Sequence, residues 1–75
     1  MPKTALSPAN VEAVATRFRI LGVPLRLQIL NELAGGERTV SELVRATGST
    51  QPNVSKHLTT LLAHRLVKRE QRASR

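Results

Sequence analysis

The chain has 75 residues, no cysteine, one aromatic residue and a formal net charge of +7. That length suits one small domain burying only about 60% of the surface its unfolded chain exposes, and it carries no disulfide, thiolate metal site or thiol redox chemistry. The pI near 11.7 points to a polyanionic partner, while Phe18 alone cannot form a base-stacking platform for single strands.

Met1 to Leu6 reads as a frayed arm and lacks the apolar h-region of a signal peptide. No apolar run approaches the roughly 18 residues of a membrane span, so no membrane partner is expected and the chain is placed in the cytoplasm. Ser7-Pro8 has the form of an N-cap followed by proline at the first helical position. Val11, Val14, Ala15, Phe18 and Leu21 then recur at helical spacing, which predicts a stripe facing the core, and Gly22 ends that helix. Pro24 opens a second helix whose Leu27, Leu30, Leu33 and Ala34 should face inward with Ile29 beside them, until Gly35-Gly36 terminates it.

Thr39-Val40-Ser41-Glu42 is a capping box, in which a hydroxyl and a carboxylate each satisfy a free backbone N–H at a helix start. Val40, Leu43, Val44 and Thr47 give that third helix one buried face. Gly48 supplies the backbone freedom to stop it, Thr50 caps the next helix, and Pro52 sits in the first turn, where a missing N–H does no harm. The fourth helix buries Val54, Leu58, Leu61 and Leu62 and keeps a polar leading edge, ending near His64-Arg65. Leu66 to Glu70 starts as a strand and turns wholly polar. Two helices joined by a glycine turn and followed by a strand make a helix-turn-helix with the start of a wing. The charge is distributed to match, with seven cations from Arg45 onward against Glu70 alone.

The order of motifs carries a resemblance. LGVPLRLQIL at 21–30, VSELVRATG at 40–48 and STQPNVSKHLTTLLAHRLV at 49–67 closely resemble the arsenic-repressor (ArsR/SmtB) family of bacterial and archaeal winged-helix regulators, most specifically in Q-x-x-V-S-x-H-L. The resemblance implies a homodimeric repressor that sits on an inverted-repeat operator and leaves it when an inducer binds. It also implies that the first helix helps to pair protomers. In the metal-sensing branch a C-x-C pair opens the third helix; here those positions are Thr39 and Ser41, whose hydroxyls cannot replace thiolates for a soft metal. No metal or cofactor is therefore expected. Family members continue through a second wing strand and a C-terminal helix, whereas this sequence stops at Arg75, where a wing would turn. The expected fold is mainly all-α, a single winged helix-turn-helix domain over 1–75 with four helices and a truncated or vestigial β-wing. Within it, 39–65 is the helix-turn-helix and 66–75 the start of the wing or a tail.

A helix fits the major groove of DNA, and its N-terminal residues reach the base edges first. That assigns base reading to Gln51, Asn53, Ser55 and Lys56, with Pro52 available to a thymine methyl. Thr39 and Ser41 lie at a helix N-terminus suited to a phosphate oxygen. Arg45, Thr60, Arg65, Lys68 and Arg69 would neutralise phosphates, setting affinity and register more than sequence choice. His57 is either a DNA contact or a hydrogen-bonded structural residue. His64, near a helix C-terminus with no second ligand beside it, is a surface residue favoured by the helix dipole.

Other functions fit less well. No paired carboxylates, nucleophile with base, or phosphate-cradling loop can be assembled, so an enzyme is not expected. A winged-helix module that binds protein is the main rival, since a fold does not fix function; it would present apolar or acidic residues where this chain presents Gln51, Asn53 and Lys56. A membrane-active peptide would need its charge on one face of a helix, opposite an apolar face, which no segment here provides.

Overall fold

A computed structural model describes residues 6–69. Four helices follow in order, α1 (Pro8–Leu21), α2 (Pro24–Ala34), α3 (Val40–Thr47) and α4 (Gln51–Ala63), and no strand forms among the described residues. The starts of three of them are written in the sequence. Ser7 Oγ accepts from Asn10 N at 3.2 Å, and Thr50 Oγ1 accepts from Asn53 N at 3.3 Å. Thr39 and Glu42 close the capping box in both directions, at 3.1 and 2.8 Å. The start of α2 is different, because Val23 is its N-cap and contributes no side-chain bond.

The core is small. Ile20, Ile29, Leu43, Val54 and Leu61 are buried, so every helix contributes at least one residue and α4 two. Leu25, Leu30, Leu33, Val40, Val44, Leu58, Leu66 and Val67 pack against them half-buried. Helices α2, α3 and α4 pack mutually, while α1 leans chiefly on α2.

Two expectations about the first half of the chain need correction. The α1 stripe does not face the core: Val11, Val14 and Phe18 are 49%, 37% and 71% exposed, Ala15 is exposed and Leu21 half-buried, and Ile20 is the residue that goes inward. Periodicity marks an apolar face but not what covers it, and nothing among the described residues covers this one. In α2 the inward row is Leu25, Ile29 and Leu33, with Leu30 beside it. Leu27 is half exposed and Ala34 exposed, so the helix is rotated by about one residue from the expected setting.

The wing strand is also unformed. Leu66 and Val67 tuck against the core, but Lys68 and Arg69 run on without a ladder. A strand exists only when paired, and the described residues supply no second strand. Glu70 and the remainder of the tail, like residues 1–5 of the arm, lie outside the described residues.

Candidate nucleic-acid interface

Gly48 makes the turn between α3 and α4 possible. Its φ of 72° is left-handed, and its N–H caps α3 by donating to the Val44 carbonyl at 2.9 Å. Thr47 reinforces the turn, its hydroxyl donating to the Leu43 carbonyl at 2.7 Å and accepting from Ser49 N at 3.4 Å. Two residues later α4 begins with no acid in its first turn, so the positive end of its backbone dipole is uncompensated.

The burial pattern orients α4. Val54, Leu58 and Leu61 turn inward, which at about 100° per residue leaves Pro52, Lys56 and Thr59 along the centre of the opposite face, all exposed. Gln51 and Asn53 are exposed at the leading end. Asn53 Nδ2 reaches back and donates to Ser49 Oγ at 3.4 Å. Ser55 is half-buried on one flank, where it shares a groove with Thr39, Arg65, Lys68 and Arg69. His57 and Thr60 are half-buried on the other flank, and the Thr60 hydroxyl donates to the Lys56 carbonyl at 3.4 Å.

Most of the expected residues therefore converge on one surface, but not all. At the start of α3 the Thr39 N–H is already held by the Glu42 carboxylate and the Glu42 N–H by the Thr39 hydroxyl, which leaves the Val40 and Ser41 N–H groups and the two hydroxyls as donors there. Arg45 sits one turn from Ser41 on the exposed side of α3, in a shallow depression with Glu32 and Glu42, and apart from the groove that holds Ser55. Arg38 lines the same depression and pairs with Glu32, which leaves Glu42 as the acid beside Arg45 without an ion pair among the described residues.

Arg65 occupies an unusual position. It has φ 58°, the only left-handed residue other than glycine among those described. Its N–H donates to the Leu62 carbonyl at 3.0 Å and the Leu66 N–H donates to the Leu61 carbonyl at 2.9 Å, the bond pair of a Schellman motif. Arginine stands where that motif favours glycine. The motif turns the chain so that Leu66 and Val67 reach the core and Lys68 and Arg69 emerge exposed.

Two residues of this surface escaped the sequence reading. Thr59 belongs to the central row of α4 by its spacing from Pro52 and Lys56, and that spacing alone could have found it. Arg26 is the partner of His57: its Nε donates to His57 Nδ1 at 3.0 Å, and its Nη1 donates to the Ile20 carbonyl at 3.2 Å. His57 thus has a hydrogen-bonded structural role. Partial burial, reinforced by the charges of Arg26 and Lys56, lowers its pKa from the ordinary histidine value.

The electrostatics are one-sided. The ion pair seen among the described residues joins Arg38 to Glu32 at 3.9 Å, and Arg38 also lines the groove of Ser55 and Arg65. Among the described residues Lys56, Arg65, Lys68 and Arg69 form no ion pair, and Glu37 and Glu42 line the groove that holds the last three. No helix among the described residues is long and apolar enough to cross a membrane, and no group of three potential metal ligands occurs among them.

Comparison with known proteins places this geometry. A family model described as bacterial regulatory protein, arsR family, matches residues 23–69, from the α2 N-cap through Arg69. The chain is 43% identical over 51 residues to a probable mercury resistance operon repressor of Streptomyces lividans, covering 68% of this chain and 41% of that protein. It is equally 43% identical over 51 residues to the HTH-type transcriptional regulator KmtR of Mycobacterium tuberculosis, covering 68% of this chain and 39% of the relative. The chain thus spans about two fifths of the length of these curated relatives. No solved structure matches it. The matched segment contains α2, both helices of the helix-turn-helix and the Schellman turn that follows α4, and the chain belongs to the bacterial arsR family of regulatory proteins.

Proposed function

We propose that this chain is the DNA-reading part of a cytoplasmic transcriptional repressor that binds an inverted-repeat operator as a homodimer. The observation that carries the reading is the exposed face of α4, a polar row with a free dipole end, beside cations that form no ion pair among the described residues. Gln51 and Lys56 read base edges, and the groove of Thr39, Ser55, Arg65, Lys68 and Arg69 takes the adjoining backbone phosphates. The bare face of α1, with Val11, Val14 and Phe18, is the surface on which a second protomer packs. A protein-binding module would need an apolar or acidic reading face, and α4 presents neither.

Selection from a pool of random duplexes tests this directly, with sedimentation of the same chain beside it. The expected product is an inverted repeat with half-sites about one helical turn apart. Replacing Gln51 or Lys56 by Ala should reduce discrimination between that site and random DNA by roughly 1 to 3 kcal/mol. Replacing Arg69 should weaken binding to all sequences alike and lower the salt slope by about one unit. A chain that enriches no sequence, even with two copies joined covalently, refutes the reading.

A further inference from the structure

Arg26 is a cation in an unfavourable place. It lies in the first turn of α2, where the backbone dipole favours an anion, and it pairs with no described carboxylate. Its half-buried guanidinium instead donates to the last turn of α1 at the Ile20 carbonyl and to α4 at His57 Nδ1. Three helices meet at one side chain.

The chemistry of that meeting fixes a proton. A guanidinium cannot be deprotonated in a protein, so Arg26 Nε only donates. His57 Nδ1 must offer a lone pair, and the ring proton resides on Nε2. That Nε2–H makes no hydrogen bond among the described residues. The ring lies on a flank of α4, beside Lys56 and backed by the Arg26 charge, and an acceptor with negative charge suits such a donor best.

We propose that Arg26 is a positioning residue for DNA binding, holding His57 as its Nε2–H tautomer so that the ring donates to a phosphate oxygen of the DNA backbone. This rests on the DNA-binding function proposed above and adds the donor atom and the residue that orients it. A neutral donor releases no counterion, so the contact adds affinity without adding to the salt slope. The contact is in this way separable from those of Lys56 and Arg69.

The test is nitrogen–proton correlation NMR of the imidazoles in the full chain, free and with a mixed-sequence duplex, alongside binding measured across salt. In the free chain the His57 proton is expected on Nε2, and its resonance should move when duplex is added. Arg26→Lys, which lacks the planar fork needed to reach both acceptors, should give mixed tautomers and binding weaker by about three- to tenfold at the same salt slope. His57→Phe should show the same loss, while His57→Gln, which keeps an N–H near the Nε2 position, should recover most of it. Circular dichroism checks folding, and if Arg26→Lys does not fold, the Phe and Gln pair decides. An Nδ1–H tautomer, an Nε2 signal unmoved while duplex binds, or wild-type affinity in His57→Phe overturns the inference and leaves the DNA-binding function standing. Failure to bind any duplex at low salt refutes that function, and this inference with it.

Discussion

Replacing Arg65 by Gly should make the protein more stable and a weaker DNA binder at once. The left-handed conformation costs a residue with a Cβ about 1 to 2 kcal/mol, and Arg65 bears that cost at φ 58°. Glycine removes it but loses about 0.4 to 1 kcal/mol through the greater freedom of the unfolded chain. The remainder lies between about 0 and 1.6 kcal/mol and centres on a gain of roughly 0.8 kcal/mol, or about 3 to 6 °C in Tm for a domain of this size. Both Schellman hydrogen bonds come from backbone N–H groups and survive the change. Arg65→Ala serves as the control, since it deletes the same side chain and keeps the strain. Both variants should lose one phosphate contact, lowering the salt slope of DNA binding by about 0.9. Urea titration by circular dichroism, with binding measured across salt, reads both quantities. If Gly proves no more stable than Ala, the backbone argument is refuted; if the salt slope stays at its wild-type value, Arg65 is not at the phosphates.

The core is thin enough that one truncation should nearly unfold it. Ile29→Ala should cost about 2 to 5 kcal/mol by urea titration, a large part of the roughly 4 to 11 kcal/mol available to a chain of this length; a loss below 1 kcal/mol would mean that Ile29 is not its centre. His57 should make stability sensitive to acid. Its pKa is lowered in the folded state, so the unfolded chain takes up the proton first, and stability falls as pH drops below about 6.5 until the folded ring also protonates. Subtracting the same pH series for His57→Gln isolates this contribution, and identical slopes in the two proteins would count against it. Phe18→Glu places a charge in the middle of the bare α1 face and should shift sedimentation from dimer to monomer with little effect on the core; an unchanged dimer would put the interface elsewhere.

Local chemistry was the legible part of this sequence. Ser7-Pro8, the Thr39–Glu42 box, Gly48 and Thr50 each act within about four residues, so their patterns already name their partners. The inward faces of α3 and α4 were legible at Val40, Leu43, Val44, Val54, Leu58 and Leu61, whereas Leu62, also expected inward, is half-buried and stands outside the core cluster. The setting of α1 and α2 was not, because an apolar stripe has the same spacing whether a core or a second chain covers it. Leu27 and Phe18 look like core residues in the sequence and stand half or more exposed in the fold. Arg26 was missed since its partner lies 31 positions away. Its one local sign was a cation at the wrong end of a helix dipole. On α4 the expected leading residues Gln51, Pro52, Asn53 and Lys56 are exposed, and Thr59, one row further along, was not named by the sequence reading.

The loose seating of α1 has a consequence for how the protein assembles. Its 14 residues are near the lower limit at which a helix persists alone in water, and its one buried residue, Ile20, lies at the far end from Ser7. The first turns therefore draw little support from the rest of the fold, and their amides should exchange with solvent through local opening instead of global unfolding. A second protomer docking on Val11, Val14 and Phe18 would supply that support. Pairing and helix formation are then one equilibrium, helicity rises with protein concentration, and the slowing of exchange along 10–16 becomes a direct measure of how much of the protein is dimeric.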